Sequence, residues 1–135
     1  SEPPALSSVG DIEKLVRTLG TQRAGEVIRA AADAGNVVCQ ICLSQIGLKI
    51  PAERRPPHVQ RETEQYTRLA AESGDPGSQF NFAKLHIAKL DTTKGYCDEA
   101  DLENIRQAKR WHRKAAAQGF QPSVEALKNL ECFDV

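Results

Sequence analysis

This chain has no net charge: eighteen lysines and arginines are cancelled by eighteen aspartates and glutamates. With no overall field to attract them, neither nucleic acid nor an anionic membrane surface is an expected partner. No run of 18 apolar residues occurs, which removes a helical membrane span. A signal peptide is missing, and so is methionine, while the sequence begins Ser1-Glu2-Pro3-Pro4. Translation therefore has to start upstream, and the residues are expected to be a processed mature chain or an excised piece of a longer one. A cleaved export signal is one account of this, which favours a periplasmic or exported location slightly over the cytoplasm. At 135 residues the chain is most simply a single domain, long enough to bury a continuous core.

Catalytic signatures are equally scarce. There is no Gly-x-Ser-x-Gly, His-Glu-x-x-His or phosphate-binding loop. His58, His86 and His112 stand beside no nucleophile motif and show no paired metal-ligand spacing with the cysteines. Cys39-Gln-Ile-Cys42 is the one motif with chemistry in it, because a helix N-terminus lowers a thiol pKa and a CxxC there can be a redox pair. It lacks a βαβ setting, so buried structural cysteine is the favoured reading. No enzyme activity, metal or other cofactor is expected.

What is present is a unit written three times. Arg29-Ala-Ala-Ala-Asp-Ala-Gly35, Arg68-Leu-Ala-Ala-Glu-Ser-Gly74 and Arg113-Lys-Ala-Ala-Ala-Gln-Gly119 all read Arg-x-Ala-Ala-x-x-Gly. Two residues before each arginine stands Val27, Tyr66 or Trp111, and three before that a small residue, Ala24, Thr63 or Ala108. Four residues past each glycine comes Cys39, Ser78 or Ser123, and four further Leu43, Phe82 or Leu127. The glycines lie 39 and 45 residues apart, a spacing that suits helical hairpins with insertions in their connections. Small residues at fixed positions let two antiparallel helices approach closely, while the bulky residue fills the gap to the next hairpin.

Helical periodicity fills in the elements. Residues 1–20 read as a lead-in and a short capping helix, with Ile12, Leu15, Val16 and Leu19 at helical spacing. Thr21 is an expected N-cap for a helix to Ala34, and Val37 to about Leu48 follows, with Cys39, Leu43 and Ile46 on one face. Three prolines in Lys49–His58 make an exposed connector. Further helices are expected at about 59–73, 76–90, 100–118 and 122–130, with a loop at 91–99. The expected fold is all-α, a short right-handed α-solenoid of three repeats at about 21–48, 58–90 and 100–131.

These residues resemble the Sel-one-like branch of the tetratricopeptide-type helical repeats, best in Ala108-x-x-Trp111-His-Arg-Lys-Ala-Ala-Ala-Gln-Gly119. The resemblance covers about residues 21–131, with Gly47 at the place of the glycine usual in the second helix. It implies a non-catalytic adaptor whose repeats hold another protein. A second implication is a bacterial immunity protein that neutralises a secreted effector such as a lipase; an inhibitor of that kind is expected to make contact through loops, 49–58 and 91–99, or through a convex edge. On the first helices, Arg23, Glu26 and Arg29, then Glu62, Gln65 and Arg68, then Arg106, Arg110 and Arg113 form a polar stripe placed to grip a partner. A solvated helix face is the plain alternative.

The four cysteines permit three full pairings. Reduced thiols used as small hydrophobes stand against oxidised cysteines. Cys97 precedes the last repeat's first helix and Cys132 follows its second, so antiparallel pairing makes them the expected disulfide if the protein is exported. Cys39 with Cys42 is a lesser possibility. His112, at a position filled by Ile28 and Thr67 in the other copies, is expected to be half-buried.

Overall fold

The computed structural model describes residues 5–135; the Ser1–Pro4 lead-in lies outside them. Among the described residues the chain forms seven α-helices and no strand: α1 Val9–Leu19, α2 Thr21–Asp33, α3 Val37–Leu48, α4 Pro57–Glu72, α5 Pro76–Ile87, α6 Glu99–Ala117 and α7 Gln121–Asn129. A single 3₁₀ turn, Ala52–Arg54, interrupts the proline-rich connector. The chain divides into two compact units, one up to Leu69 and one from Ala70 onward, with the boundary inside α4.

Local chemistry accounts for the helix ends. Ser8 caps α1 by accepting from the Asp11 N–H at 3.2 Å. Gly20, with φ 82°, stops α1 and begins α2, so Thr21 is the first helical residue rather than the expected cap. The three repeated glycines all sit in the left-handed region, with φ of 106°, 103° and 83° at Gly35, Gly74 and Gly119. Each makes the same turn. The glycine N–H donates to Ala32, Ala71 or Ala116, and the next N–H reaches back to Ala31, Ala70 or Ala115. This is a Schellman motif closed on the Ala-Ala pair, so the Arg-x-Ala-Ala-x-x-Gly string encodes a helix stop with a fixed exit direction. Asn36 and Asp75 then cap the following helix through the N–H groups of Cys39 and Ser78, whereas Phe120 supplies no side-chain cap.

In the N-terminal unit, α1, α2 and α3 pack on one another around Leu6, Ile12, Leu15, Ala24, Ile28 and Cys39. The segment before α1 is held down by Asn36, whose amide donates to the Leu6 carbonyl at 2.8 Å. The face that α3 buries is not the expected one. Cys39, Gln40, Ser44 and Gly47 point inward, and Ile46 is 55 % exposed. Gln40, Ser44 and Gly47 share one side of α3 and that side is buried, so placing the apolar residues inward selected the wrong face. The Gln40 amide donates to the Ala32 carbonyl at 3.0 Å, and Ser44 meets Thr67 at 2.5 Å. Gly47 lies against Thr63 so closely that a Cβ there would sit 2.9 Å from the Thr63 Cβ and overlap its hydroxyl.

In the C-terminal unit, α6 packs against both α5 and α7. Ala71, Ala83, Ala108 and Trp111 form its buried apolar cluster, with Phe82, Ile87 and Leu130 around them. Ser78 and Ser123 are buried, as the small-residue positions require. His112 is also buried rather than half-buried, its Nδ1 paired with the Ser123 hydroxyl at 3.0 Å. Burial, and then the nearby Lys84 charge, push its pKa below the ordinary histidine value. The connection before α6 is locked by Lys94, whose ammonium reaches Asp98 at 2.7 Å and Asp101 at 2.8 Å. Asp98 and Asp101 form a capping box on α6. The Lys94 bond, followed by the Asp98 N–H, brings the Asp101 pKa down to about 2.

The expected Cys97–Cys132 bridge is not made: both are exposed free thiols, and Cys39 and Cys42 are unbridged too. Reach explains it. Helix α6 has 19 residues and α7 has nine, about 28 Å against about 14 Å. The chain after α7 therefore meets α6 near its middle, where the Lys109 ammonium donates to the Phe133 carbonyl at 2.7 Å. Cys97 sits before the far N-terminal end of that helix. Maleimide labelling followed by intact-mass measurement should show two fast thiols, Cys97 and Cys132, a slower Cys42, and Cys39 reacting only on unfolding. A native mass two hydrogens below the reduced value, with both exposed thiols silent, would show that the bridge forms after all.

Candidate protein-binding surface

The polar stripe is distributed over both units. In the first, α2 carries Arg23, Glu26 and Arg29, all exposed, and α4 carries Glu62, Gln65 and Arg68. The fold joins two of these directly: Arg29 Nε lies 3.1 Å from Glu62 Oε1, with the side chains 48 % and 42 % exposed. At that exposure the pair contributes at most about 1 kcal/mol. One turn along, the Tyr66 hydroxyl donates to Asp33 at 2.8 Å. Burial and that carboxylate push the Tyr66 pKa up to about 12. Tyr66 on α4 is thus tied to the end of α2, one turn from the Arg29–Glu62 pair.

In the second unit Arg106, Arg110 and Arg113 lie exposed along α6. Arg106 is drawn to Glu103, one turn earlier on the same helix. Arg110 lies over the Trp111 ring, 5.3 Å from its centroid, and Lys114 lies 5.5 Å from the same centroid. Part of the charge in the stripe is therefore engaged with the protein itself. Arg113 reaches solvent without such a contact among the described residues.

The two loops differ in what they offer. Arg55 is spent on the connector, its Nε donating to the Ile50 carbonyl at 2.8 Å and its guanidinium to Gln60 at 3.0 Å, whereas Arg54 is exposed. Tyr96 is 67 % exposed, with the Lys94 ammonium 5.6 Å from its ring centroid.

The CxxC motif has the electrostatics of packed thiols. Burial raises the pKa of both Cys39 and Cys42, and the neighbouring Cys42 charge raises that of Cys39 further. Burial thus disfavours the thiolate at both positions, while the Lys49 charge acts in the opposite direction on Cys42. No cluster of three histidine, cysteine or acidic residues suited to a metal ion occurs among the described residues. No helix among them is long and apolar enough to cross a membrane.

One surface feature was not legible in the sequence. Val9 on α1 and Ile46 on α3, two of the three large hydrophobics left exposed among the described residues, flank a groove of about 370 Å³. Only the burial of the opposite face of α3 reveals it.

No family model and no solved structure matches the chain. A curated relative does. Over 113 residues the chain is 30 % identical to "DAP3-binding cell death enhancer 1" of Rattus norvegicus, an alignment covering 81 % of this chain and 19 % of that protein. The chain thus corresponds to about a fifth of the length of the relative it matches. That protein's name assigns it a protein partner.

Proposed function

We propose that this chain is a non-enzymatic protein-binding module built from Sel-like helical repeats, with α2–α3, α4–α5 and α6–α7 as its three copies and α1 as a cap. The observation that carries this reading is the threefold recurrence of one turn. Gly35, Gly74 and Gly119 close identical hydrogen-bond patterns on Ala-Ala pairs, and each is followed by a buried small residue, Cys39, Ser78 or Ser123. Repetition of a packing device across a chain extends a surface, and extended repeat surfaces serve recognition. The relative named for binding DAP3 supports a protein ligand and makes DAP3 the first partner to test. No observation favours the immunity-protein alternative over this reading.

Purified chain titrated with DAP3 in a calorimeter tests the partner. If the polar stripe is the contact, Arg68→Glu combined with Arg113→Glu should weaken binding by about tenfold or more, since each reversal replaces attraction by repulsion at an exposed contact. Unchanged affinity in the double variant would remove the stripe as the contact. Absence of any heat or complex with wild type would remove DAP3 as the partner.

A further inference from the structure

Between α1 and α3, wholly inside the N-terminal unit, the groove of about 370 Å³ is walled by Val9 and Ile12 on one side and by Ile41, Cys42 and Ile46 on the other, with Lys49 at the α3 end. Val9 is 66 % and Ile46 55 % exposed. A single exposed isoleucine is ordinary, but two large aliphatic side chains facing one concavity form a patch that water solvates poorly. Ile46 has no structural task here, because Cys39, Gln40, Ser44 and Gly47 make the buried face of α3. The lining contains no aspartate or glutamate, and its one charge, Lys49, makes no ion pair among the described residues.

We propose that this groove docks an amphipathic helix from a partner protein, its apolar stripe seated between Val9 and Ile46 and an acidic side chain near one end paired with Lys49. The proposal rests on the protein-binding reading above and names a surface and a partner chemistry for it. Size fits: α3 has 12 residues and is about 18 Å long, enough to receive three anchors at i, i+3 or i+4, and i+7. Charge selects the occupant. A second copy joined face to face through the same groove would bring two Lys49 ammonium groups to one apolar interface with no lining carboxylate to neutralise them.

The test uses a synthetic amphipathic helical peptide with leucines at i, i+3, i+4 and i+7 and a glutamate at one end, titrated into the ¹⁵N-labelled 135-residue chain. A control peptide carries lysine for that glutamate. Shifts should concentrate on Val9, Ile41, Cys42, Ile46 and Lys49, and bound peptide should slow alkylation of Cys42. Ile46→Glu, at an exposed helical site that tolerates glutamate, should keep the thermal midpoint and weaken the peptide by about tenfold or more. Lys49→Glu should reverse the preference between the two peptides. No binding at about 1 mM peptide, unchanged affinity in Ile46→Glu, or shifts confined to α2, α4 and α6 would overturn the groove. Self-association abolished by Ile46→Glu would overturn it too, by making the occupant a second copy. If DAP3 binds wild type and Ile46→Glu alike while the peptide fails, the groove falls and the binding-module reading stands; loss of both sinks both.

Discussion

Trp111→Ala is expected to destabilise the chain by about 3–5 kcal/mol, the range for removing a large aromatic from a packed core. Trp111 is 6 % exposed and meets Phe82 edge-on, with ring centroids 5.4 Å apart. Around it stand Ala71, Ala83 and Ala108, whose methyl groups cannot expand into the space left behind. The deficit should therefore include a cavity contribution as well as lost transfer energy. Arg110 and Lys114 lie over the indole face and would lose their aromatic partner as well. Because Trp111 is the only tryptophan, unfolding in urea has to be followed by far-ultraviolet circular dichroism. Trp111→Phe should retain much of the stability, since it keeps an edge-to-face contact. A midpoint for Trp111→Ala within error of wild type would mean that the bulky repeat position does not hold the C-terminal unit together.

Gly47→Ala separates two physical effects of opposite sign. Helix propensity alone predicts a gain of about 1 kcal/mol for alanine in a helix interior. The added methyl, however, falls on Thr63, whose hydroxyl donates to the Val59 carbonyl at 2.7 Å and whose Cβ is fixed to the α4 backbone. Flexible side chains can turn aside; a Cβ cannot. Overpacking at about 3 kcal/mol should win, for a net loss of about 2 kcal/mol. Combining Gly47→Ala with Thr63→Ala should recover at least about 1 kcal/mol of the expected sum, because it removes the hydroxyl and methyl that the new Cβ meets most closely or crowds, leaving only the 2.9 Å Cβ contact. A stabilised Gly47→Ala would show that α3 and α4 do not approach as closely as the structure has them.

The parts of this fold that were legible from the residues are those set by neighbours in sequence. The extent of α3 and the helix stops at Gly35, Gly74 and Gly119 follow from spacing and from a conformation that glycine alone adopts freely. Burial of Ala24, Thr63 and Ala108, and of Ser78 and Ser123, follows from their smallness at recurring positions. That Arg23, Glu26 and Arg29 on α2, Arg68 on α4, and Arg106, Arg110 and Arg113 on α6 reach solvent was legible helix by helix. Their internal use was not, because Arg29 meeting Glu62 and Arg110 covering Trp111 depend on rotamers and on neighbouring helices. Equally hidden were the burial of His112 against Ser123 and the locking of the loop before α6 by Lys94.

By itself, the sequence determined that the described residues are helical, where helices stop at Gly35, Gly74 and Gly119, and which small residues face inward, since each of these is encoded within a few residues by periodicity and backbone preference. Tertiary structure decided the rest. On α3 the side turned inward carries Gln40, Ser44 and Gly47, so contact with α1, α2 and Thr63, rather than apolar patterning, chooses it and leaves Ile46 outside. Likewise, only the unequal lengths of α6 and α7 keep Cys132 from Cys97. Both outcomes depend on distances between elements, which local residue patterns do not specify.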